Sequence, residues 1–508
     1  MSVESDEGGA GAPRSAEEVK LPEGWAWATV SEVLVGSDAG KSFKCDPRPA
    51  ALEEWGIIKV SAMTWGEFRS AENKALLDNT LVNPNYEIQS GDILVSRANT
   101  VEHVGAPVLV GDVRPRLLLS DKSLRFMPGS TVDRNWFVYW LKSPAVRNAI
   151  AAKASGTSDS MRNISQSDLK AIVLPVPPAA EQRRIADALD EQLARLDEIA
   201  QLITHARAHA TTLRKQILLN AIPEPANWPE DWQATTADQA GAIDLGRARH
   251  PDWHDGPTMR PYLRVANVFE DRIDTTSLME MDFSEGFGKY RLLPGDILLN
   301  EGQSPHLVGR PAMYKGIPEG VAFTNSLLRF RAGDNVLPGW ALLVFRRHLH
   351  AGRFMREVRI TTNIAHLSTS RLKAVEFPVP TLDEQRRLIA ETKGRLARAD
   401  ALDVFLNKAE AHNSALRRAL LAEAFAGRLV PQDPHDEPAE DLLKHVRAER
   451  EAAEAERKAA RRAAAQARRN NRSGAEQPSP EAAPQSAPTS RTPLPEGEQT
   501  TLPLEFTE

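Results

Sequence analysis

Cysteine is almost missing from this chain. Cys45 is the only one in 508 residues, which excludes an internal disulfide framework and suits a reducing compartment. No apolar run approaches the ~20 residues that a membrane-spanning helix needs. The stretch from Met1 to Lys20 is acidic and built of small residues without an apolar centre, so no signal peptide is expected and the expected place is the cytoplasm. An excess of positive charge is lacking too. The formal net charge is −6, and basic and acidic residues nearly cancel within 22–177 and again within 223–380. Bulk electrostatics would therefore not let this chain grip a polyanion alone, and nucleic-acid binding would need local clusters or charge from a partner. The Gly-x-x-x-x-Gly-Lys-Ser/Thr loop is also missing, so no ATP site of that kind is expected.

What the chain does have is a repeat. Pro175-Val176-Pro177 … Glu181-Gln182-Arg183-Arg184-Ile185 returns about 203 residues later as Pro378-Val379-Pro380 … Glu384-Gln385-Arg386-Arg387-Leu388. Upstream, Gly91-Asp92-Ile93-Leu94 matches Gly295-Asp296-Ile297-Leu298, and Arg125-Phe126 matches Arg329-Phe330. Two copies are too few for a solenoid; they imply two similar domains related by an approximate two-fold. Between the echoes the copies differ, as in Arg97-Ala98-Asn99-Thr100 against Glu301-Gly302-Gln303-Ser304. A shared scaffold with unlike loops suits a two-part target.

Each copy opens with short apolar runs bounded by turn formers, as strands are, and closes on a Pro-x-Pro element followed by a long helical pattern. Pro177-Pro178 imposes an extended approach, Pro178 is suited to open the helix, and Thr381-x-x-Glu384 is a capping box. Leu189, Gln192, Leu196, Ile199, Ile203, Ala206, Ala210, Leu213 and Ile217 alternate steps of three and four, the seam of a coiled coil. Ala399, Leu402, Leu406, Ala409, Asn413, Leu416 and Leu420 continue the theme in the second copy. Each helix should run ~60 Å at ~1.5 Å per residue. The two are expected to pack on each other, antiparallel; packing against a third protein is the competing option. Beyond Pro431, residues 431–472 are a charged helical extension without a broad apolar face, expected to be solvated or partner-dependent. The compositions of 1–20 and 473–508 predict disordered tails.

Catalytic signatures do not hold up. Asn83-Pro84-Asn85-Tyr86 is similar to the base-gripping loop of amino-methyltransferases, but its second proline is replaced and no Gly-rich cofactor loop precedes it. His205 and His209 have a metal-like spacing without a third ligand. Pro251-Asp252-Trp253-His254-Asp255 has no Glu-x-Lys to complete a nuclease site and reads as a loop. No catalytic residue and no metal site are expected.

Two variable regions, each closed by Pro-x-Pro … Glu-Gln-Arg-Arg-Ile/Leu and a long helix, resemble the specificity subunit of type I restriction-modification enzymes. The Gly-Asp-Ile-Leu runs, Ile164-Ser165-x-x-x-Leu169-Lys170 with Leu367-Ser368-x-x-x-Leu372-Lys373, and Gly427-Arg428-Leu429-Val430-Pro431 carry the same resemblance over about 21–450. It implies an α+β fold with target-recognition domains at 21–177 and 223–380, and spacer helices at 178–222 and 381–430 forming an antiparallel coiled coil. It also implies a non-catalytic reader of a bipartite, asymmetric site in double-stranded DNA. Two methyltransferase subunits and the motor-nuclease subunits would be its partners. S-adenosylmethionine, ATP and Mg2+ would be used by those partners, with no cofactor on this chain. The alternatives are a coiled-coil adaptor with two protein-binding domains, and a fused methyltransferase, which the absent cofactor motifs oppose.

Base readout needs Arg or Lys for guanine, Asn or Gln for adenine, and donors to phosphate. In the first copy the candidates are Lys41, Ser42, Lys44, Arg97, Asn99, His103, Thr157, Ser158, Arg162 and Asn163. In the second they are Arg247, Arg249, His250, Asn300, Gln303, His306, Arg359, Thr362 and Asn363.

Overall fold

The computed structural model describes residues 20–474 apart from 65, 159, 160, 357, 358, 362 and 363; of 81, 157, 158, 359–361 and most of 464–474 it describes the backbone alone. The expected tails lie outside the described residues but for Lys20, Ser473 and Gly474. The chain divides into two compact units. One holds the described parts of Met1–Val138, Ala149–Ala180 and Pro434–Glu508; the other holds Tyr139–Asn148 and the described parts of Glu181–Asp433.

The same antiparallel four-stranded sheet occurs once in each unit. In the first its order is Leu34–Ala39, Ser123–Pro128, Ile93–Ser96, Pro107–Leu109. In the second it is Gly241–Leu245, Leu327–Ala332, Ile297–Asn300, Pro311–Met313. Ile93, Leu94 and Val95, like Ile297, Leu298 and Leu299, are all buried. Coverage on both faces explains why these strands are unbroken apolar runs rather than alternating ones.

The turn before each inner strand explains Gly-Asp. Gly91 has φ 84° and Gly295 φ 96°, left-handed values that a side chain disfavours. Asp92 accepts from the Gln89 amide at 2.9 Å and pairs with Arg125 at 3.1 Å. Asp296 accepts from the Leu293 amide at 2.8 Å and pairs with Arg331 through two bonds of 2.7 Å. The repeated Arg125 and Arg329 are themselves buried, each paired with an Asp of the neighbouring strand, Asp38 and Asp244. The remaining echoes are also scaffold. Ser165 and Ser368 cap short helices by accepting from the amides of Asp168 and Arg371, and Leu169 and Leu372 are buried behind them. Gln385 is fully buried; it donates to the carbonyls of Asn335 at 2.8 Å and Pro380 at 2.9 Å and accepts from the Leu337 amide at 2.8 Å.

The long helices are Ala179–Ala221 and Leu382–Phe425. Within the second unit they pack together and run antiparallel, since Asp197 pairs with Arg417, Arg207 with Glu410, and Arg214 with Asp403 and Asp400. Leu196, Ile203, Ala210 and Ile217 are buried, as are Ala399, Leu406 and Asn413. The other half of the expected seam departs from expectation: Ile199, Leu213, Leu402 and Leu416 are exposed. A two-helix contact buries only a narrow stripe, so one position in seven faces the partner helix and the alternate set is left outside.

The C-terminal helix Ala439–Gly474, expected to be solvated or partner-dependent, packs along its first three turns and is largely exposed from 451 to 463. Ala439, Leu442 and Val446 are buried against the first unit, with Val446 seated on Gly129, where an added Cβ would lie 2.5 Å from it. The Ala439 amide donates to the Gly24 carbonyl at 2.9 Å and Arg450 to the Ser31 carbonyl at 3.0 Å. The glycine lets Val446 approach closely, and the Ser130 amide adds a bond to the Glu449 carboxylate at 2.9 Å.

Candidate nucleic-acid interface

Each inner strand runs on into a smaller sheet. Ile93–Ser96 leads through Arg97 to Ala98–Asn99, which pairs with Met161–Asn163, itself paired with Ser155–Ser158. Ile297–Asn300 leads through Glu301 to Gly302–Gln303, which pairs with Ile364–His366 and then Arg359–Thr361. Matching backbone bonds pin both junctions. The Arg97 amide donates to Lys122 at 2.8 Å and its carbonyl accepts from Ile164 at 3.0 Å; Glu301 repeats this with Ser326 at 3.0 Å and Leu367 at 2.8 Å. A rigid strand thus sets the same small frame in each copy, and the side chains on it differ.

In the first copy Asn99 stands opposite Arg162, and Asn163 beside it is exposed. Asn99 accepts from the Thr100 amide at 2.9 Å and donates to Thr64 at 3.3 Å, which orients its amide. Gln303 takes the same place in the second copy, accepting from the Ser304 amide at 3.2 Å, but stands opposite buried Ala365. Where the first copy has Arg97 and Asn163, the second has Glu301 and His366, whose Nδ1 lies 3.3 Å from the Glu301 carboxylate. Glu301 and Thr64 escaped sequence reasoning. The first was visible as the residue aligned with Arg97; nothing local in the sequence marks the second. One frame therefore offers Arg and Asn donors and the other a carboxylate, chemically suited to different base edges.

The remaining candidates fall elsewhere. Lys41, Ser42 and Lys44 are exposed on the loop after Leu34–Ala39, while His103 is half-buried and His306 exposed, each following its small-sheet strand. Arg249 and His250 are exposed, with His250 packed on Trp253 at 5.6 Å. Arg247 is partly withdrawn: its guanidinium lies 4.0 Å from the Trp253 ring and 4.9 Å from the Phe283 ring, and donates to the Asp282 carbonyl. Asn300 is fully buried, as is Ser96 at the matching place, because the end of the inner strand still faces the core; it is not a surface group. The side chains of Thr157, Ser158 and Arg359, and the whole of Thr362 and Asn363, lie outside the described residues.

Among the described residues no cluster of His, Cys, Asp and Glu is placed to hold a metal ion. His205 and His209 sit exposed on the first long helix. No described helix is long and apolar enough to cross a membrane.

The same sheet, topped by a small frame whose side chains differ, thus occurs once in each unit, and a pair of antiparallel helices packs within the second. No family model matches the chain, but curated proteins do. It is similar to the type I restriction enzyme EcoEI specificity subunit of Escherichia coli, 33% identical over 37% of this chain and 32% of that protein. Over 85% of this chain it is 23% identical to the EcoKI specificity subunit of Escherichia coli K12 and 25% identical to the StySPI specificity subunit of Salmonella potsdam, covering 97% and 96% of them. The fold is shared with a chain from a solved structure of complex assembly in the type I R-M system, at a TM-score of 0.63, 20% identity, 80% coverage of this chain and 99% of that one. The HsdS subunit of Thermoanaerobacter tengcongensis matches at 0.50 and 21% identity, over 81% and 99%. Over most of its length the chain is therefore similar to type I restriction enzyme specificity subunits.

Proposed function

We propose that this chain is the DNA-reading, non-catalytic subunit of a cytoplasmic type I restriction-modification complex. Each target-recognition domain, 21–177 and 223–380, reads one half of an asymmetric, interrupted duplex site. The carrying observation is the doubled small sheet: one backbone frame, pinned by matching bonds at Arg97 and Glu301, bears Asn99, Arg162 and Asn163 in one copy and Gln303, Glu301 and His366 in the other. Exposed Arg249, His250 and His306, with Arg359, Thr362 and Asn363, complete the second reading surface in this proposal. Methyl transfer from S-adenosylmethionine and ATP- and Mg2+-dependent cleavage belong to the partners. Two methyltransferase subunits dock on the long helices, where exposed Leu202 and Phe405 join the exposed half of the seam as an apolar stripe.

Exchange of residues 21–177 for the matching region of a relative tests the reading. Sequencing of methylated sites should show one half of the recognised sequence changed and the other kept. A change in both halves would refute independent reading.

A further inference from the structure

A concavity of about 440 Å³ opens in the first unit beside the Asn99 frame. Lys122, whose carbonyl holds the Arg97 amide, is on its wall; so is Val60, four residues before the Thr64 that holds Asn99. Lys41, Lys59, Lys74 and Lys122 line it, arriving from separate stretches of chain. Among the described residues none of these ammonium groups has a carboxylate oxygen within 4.0 Å, and exposed Asp121 is the single acid in the lining. Four like charges converging on one cavity against a single exposed carboxylate repel one another unless an anion sits between them.

The second domain keeps only half of this set. The bridge Lys41–Ser120 corresponds to Arg247–Thr324, and the pair Ile57–Lys74 to Tyr262–Met279. In that register Lys74 becomes Met279 and Lys122 becomes Ser326, while Lys59 becomes Arg264 and Lys41 becomes Arg247, which is taken up by Trp253 and Phe283. Lysine ammonium groups are point donors to phosphate oxygens and carry no base information.

We propose that the Lys41–Lys59–Lys74–Lys122 pocket holds a backbone phosphate of duplex DNA, fixing the first recognition domain on the strand beside the bases that its small sheet reads. This rests on the DNA-reading function proposed above. Only Lys41 of the four was an expected contact; Lys59, Lys74 and Lys122 are new.

Cys45 lines the same pocket and is the chain's only cysteine, so its thiol is a built-in reporter. The test measures alkylation of Cys45 by iodoacetamide in the full chain, alone and assembled with a methyltransferase subunit, at low ionic strength. Added duplex of any sequence should slow the reaction roughly tenfold near saturation, and salt should reverse the protection. The triple variant Lys59→Gln, Lys74→Gln, Lys122→Gln should lose the protection. It should also bind every duplex more weakly, with a log–log salt slope shallower by about 0.9 for the one phosphate lost. Protection by inorganic phosphate but not by duplex would assign the pocket to a free anion and overturn the proposal. Duplex bound in a mobility shift with Cys45 as reactive as before would also overturn it, leaving the DNA-reading function intact. Failure of that function would appear separately, as modified sites that are not bipartite. Should the triple variant fail to fold, the wild-type protection measurement still decides.

Discussion

Asn413, on the second long helix, donates through Nδ2 to the main-chain carbonyl of Leu196 on the first at 3.1 Å. Its Oδ1 is buried without a partner among the described residues. A polar side chain on an otherwise apolar seam costs stability and in return fixes which level of one helix faces which level of the other. The flanking ion pairs Arg207–Glu410 and Asp197–Arg417 are largely exposed, each worth at most ~1 kcal/mol. Register therefore rests on Asn413 and on the contacts of Leu196, Ile203 and Ala210, and a fixed register is what a measuring helix pair needs.

Gln385→Ala should destabilise the second domain by about 1–3 kcal/mol, because it removes a buried hydrogen bond to the Pro380 carbonyl and part-buried ones to the Asn335 carbonyl and the Leu337 amide. Chemical denaturation of the full chain would show it. A loss near zero would mean that the repeated Glu-Gln motif is not held for this contact.

Leu202→Lys with Phe405→Lys should leave the fold unchanged, since both side chains are well exposed at 66% and 65%. Assembly with the methyltransferase subunit should fall at least tenfold if the stripe is its dock. Co-purification, with circular dichroism as the control for folding, separates the outcomes. Unimpaired assembly would remove the stripe from the interface.

Acid should weaken the second domain through His348. The imidazole is fully buried, donates from Nε2 to the Glu376 carbonyl at 2.9 Å, and has its pKa pushed down by burial to about 4 from 6.5. Because the unfolded chain takes up this proton first, stability is full above pH 6.5 and falls as pH drops toward 4. The slope is up to about 1.4 kcal/mol per pH unit. Burial pushes the neighbouring Glu376 carboxyl up, but the Arg353 hydrogen bonds outweigh this and hold it below the usual range. Its contribution, present above the unfolded carboxylate pKa, is lost further down the same acid limb. Denaturant midpoints across this window, compared with those of His348→Gln, should show a flatter dependence in the variant; identical slopes would exclude His348 as the cause.

The scaffold was legible because its residues act locally. Gly91 and Gly295 announce a left-handed turn, Ser165 and Ser368 announce caps, and the long helices announce themselves by periodicity. What faces what was not legible. Ile199 and Leu213 carry the same period as Leu196 and Ala210, and only the single partner helix decides that the first pair stays outside. Asn300 and Asn99 are alike as letters, yet one ends a strand that still faces the core and the other begins the frame beyond it. The lysines of the pocket are scattered over about eighty positions, so only the folded chain brings them together.

The spacer can be tested as a ruler, and the cross-helix pairs say how. Four residues added after Ala200 alone would lengthen the first helix by ~6 Å. The same change would slide Asp197 and Leu196 away from Arg417 and Asn413 while Arg207 stays with Glu410. The informative variant adds four residues there and four more after Ala411, between the same two sets of partners. Each helix then gains a little over one turn and rotates only ~40°, so both seams keep nearly the same face. Along B-DNA ~6 Å is nearly two base pairs at ~3.4 Å each. The unspecified gap in the recognised site should grow by one or two base pairs with both half-sequences unchanged, as read by genome-wide mapping of methylated sites. The single insertion should lose most of its activity, because one register or the other must break. A protein-binding adaptor has no reason to couple helix length to DNA spacing, so an unchanged gap at full activity in the double insertion would rule the ruler out.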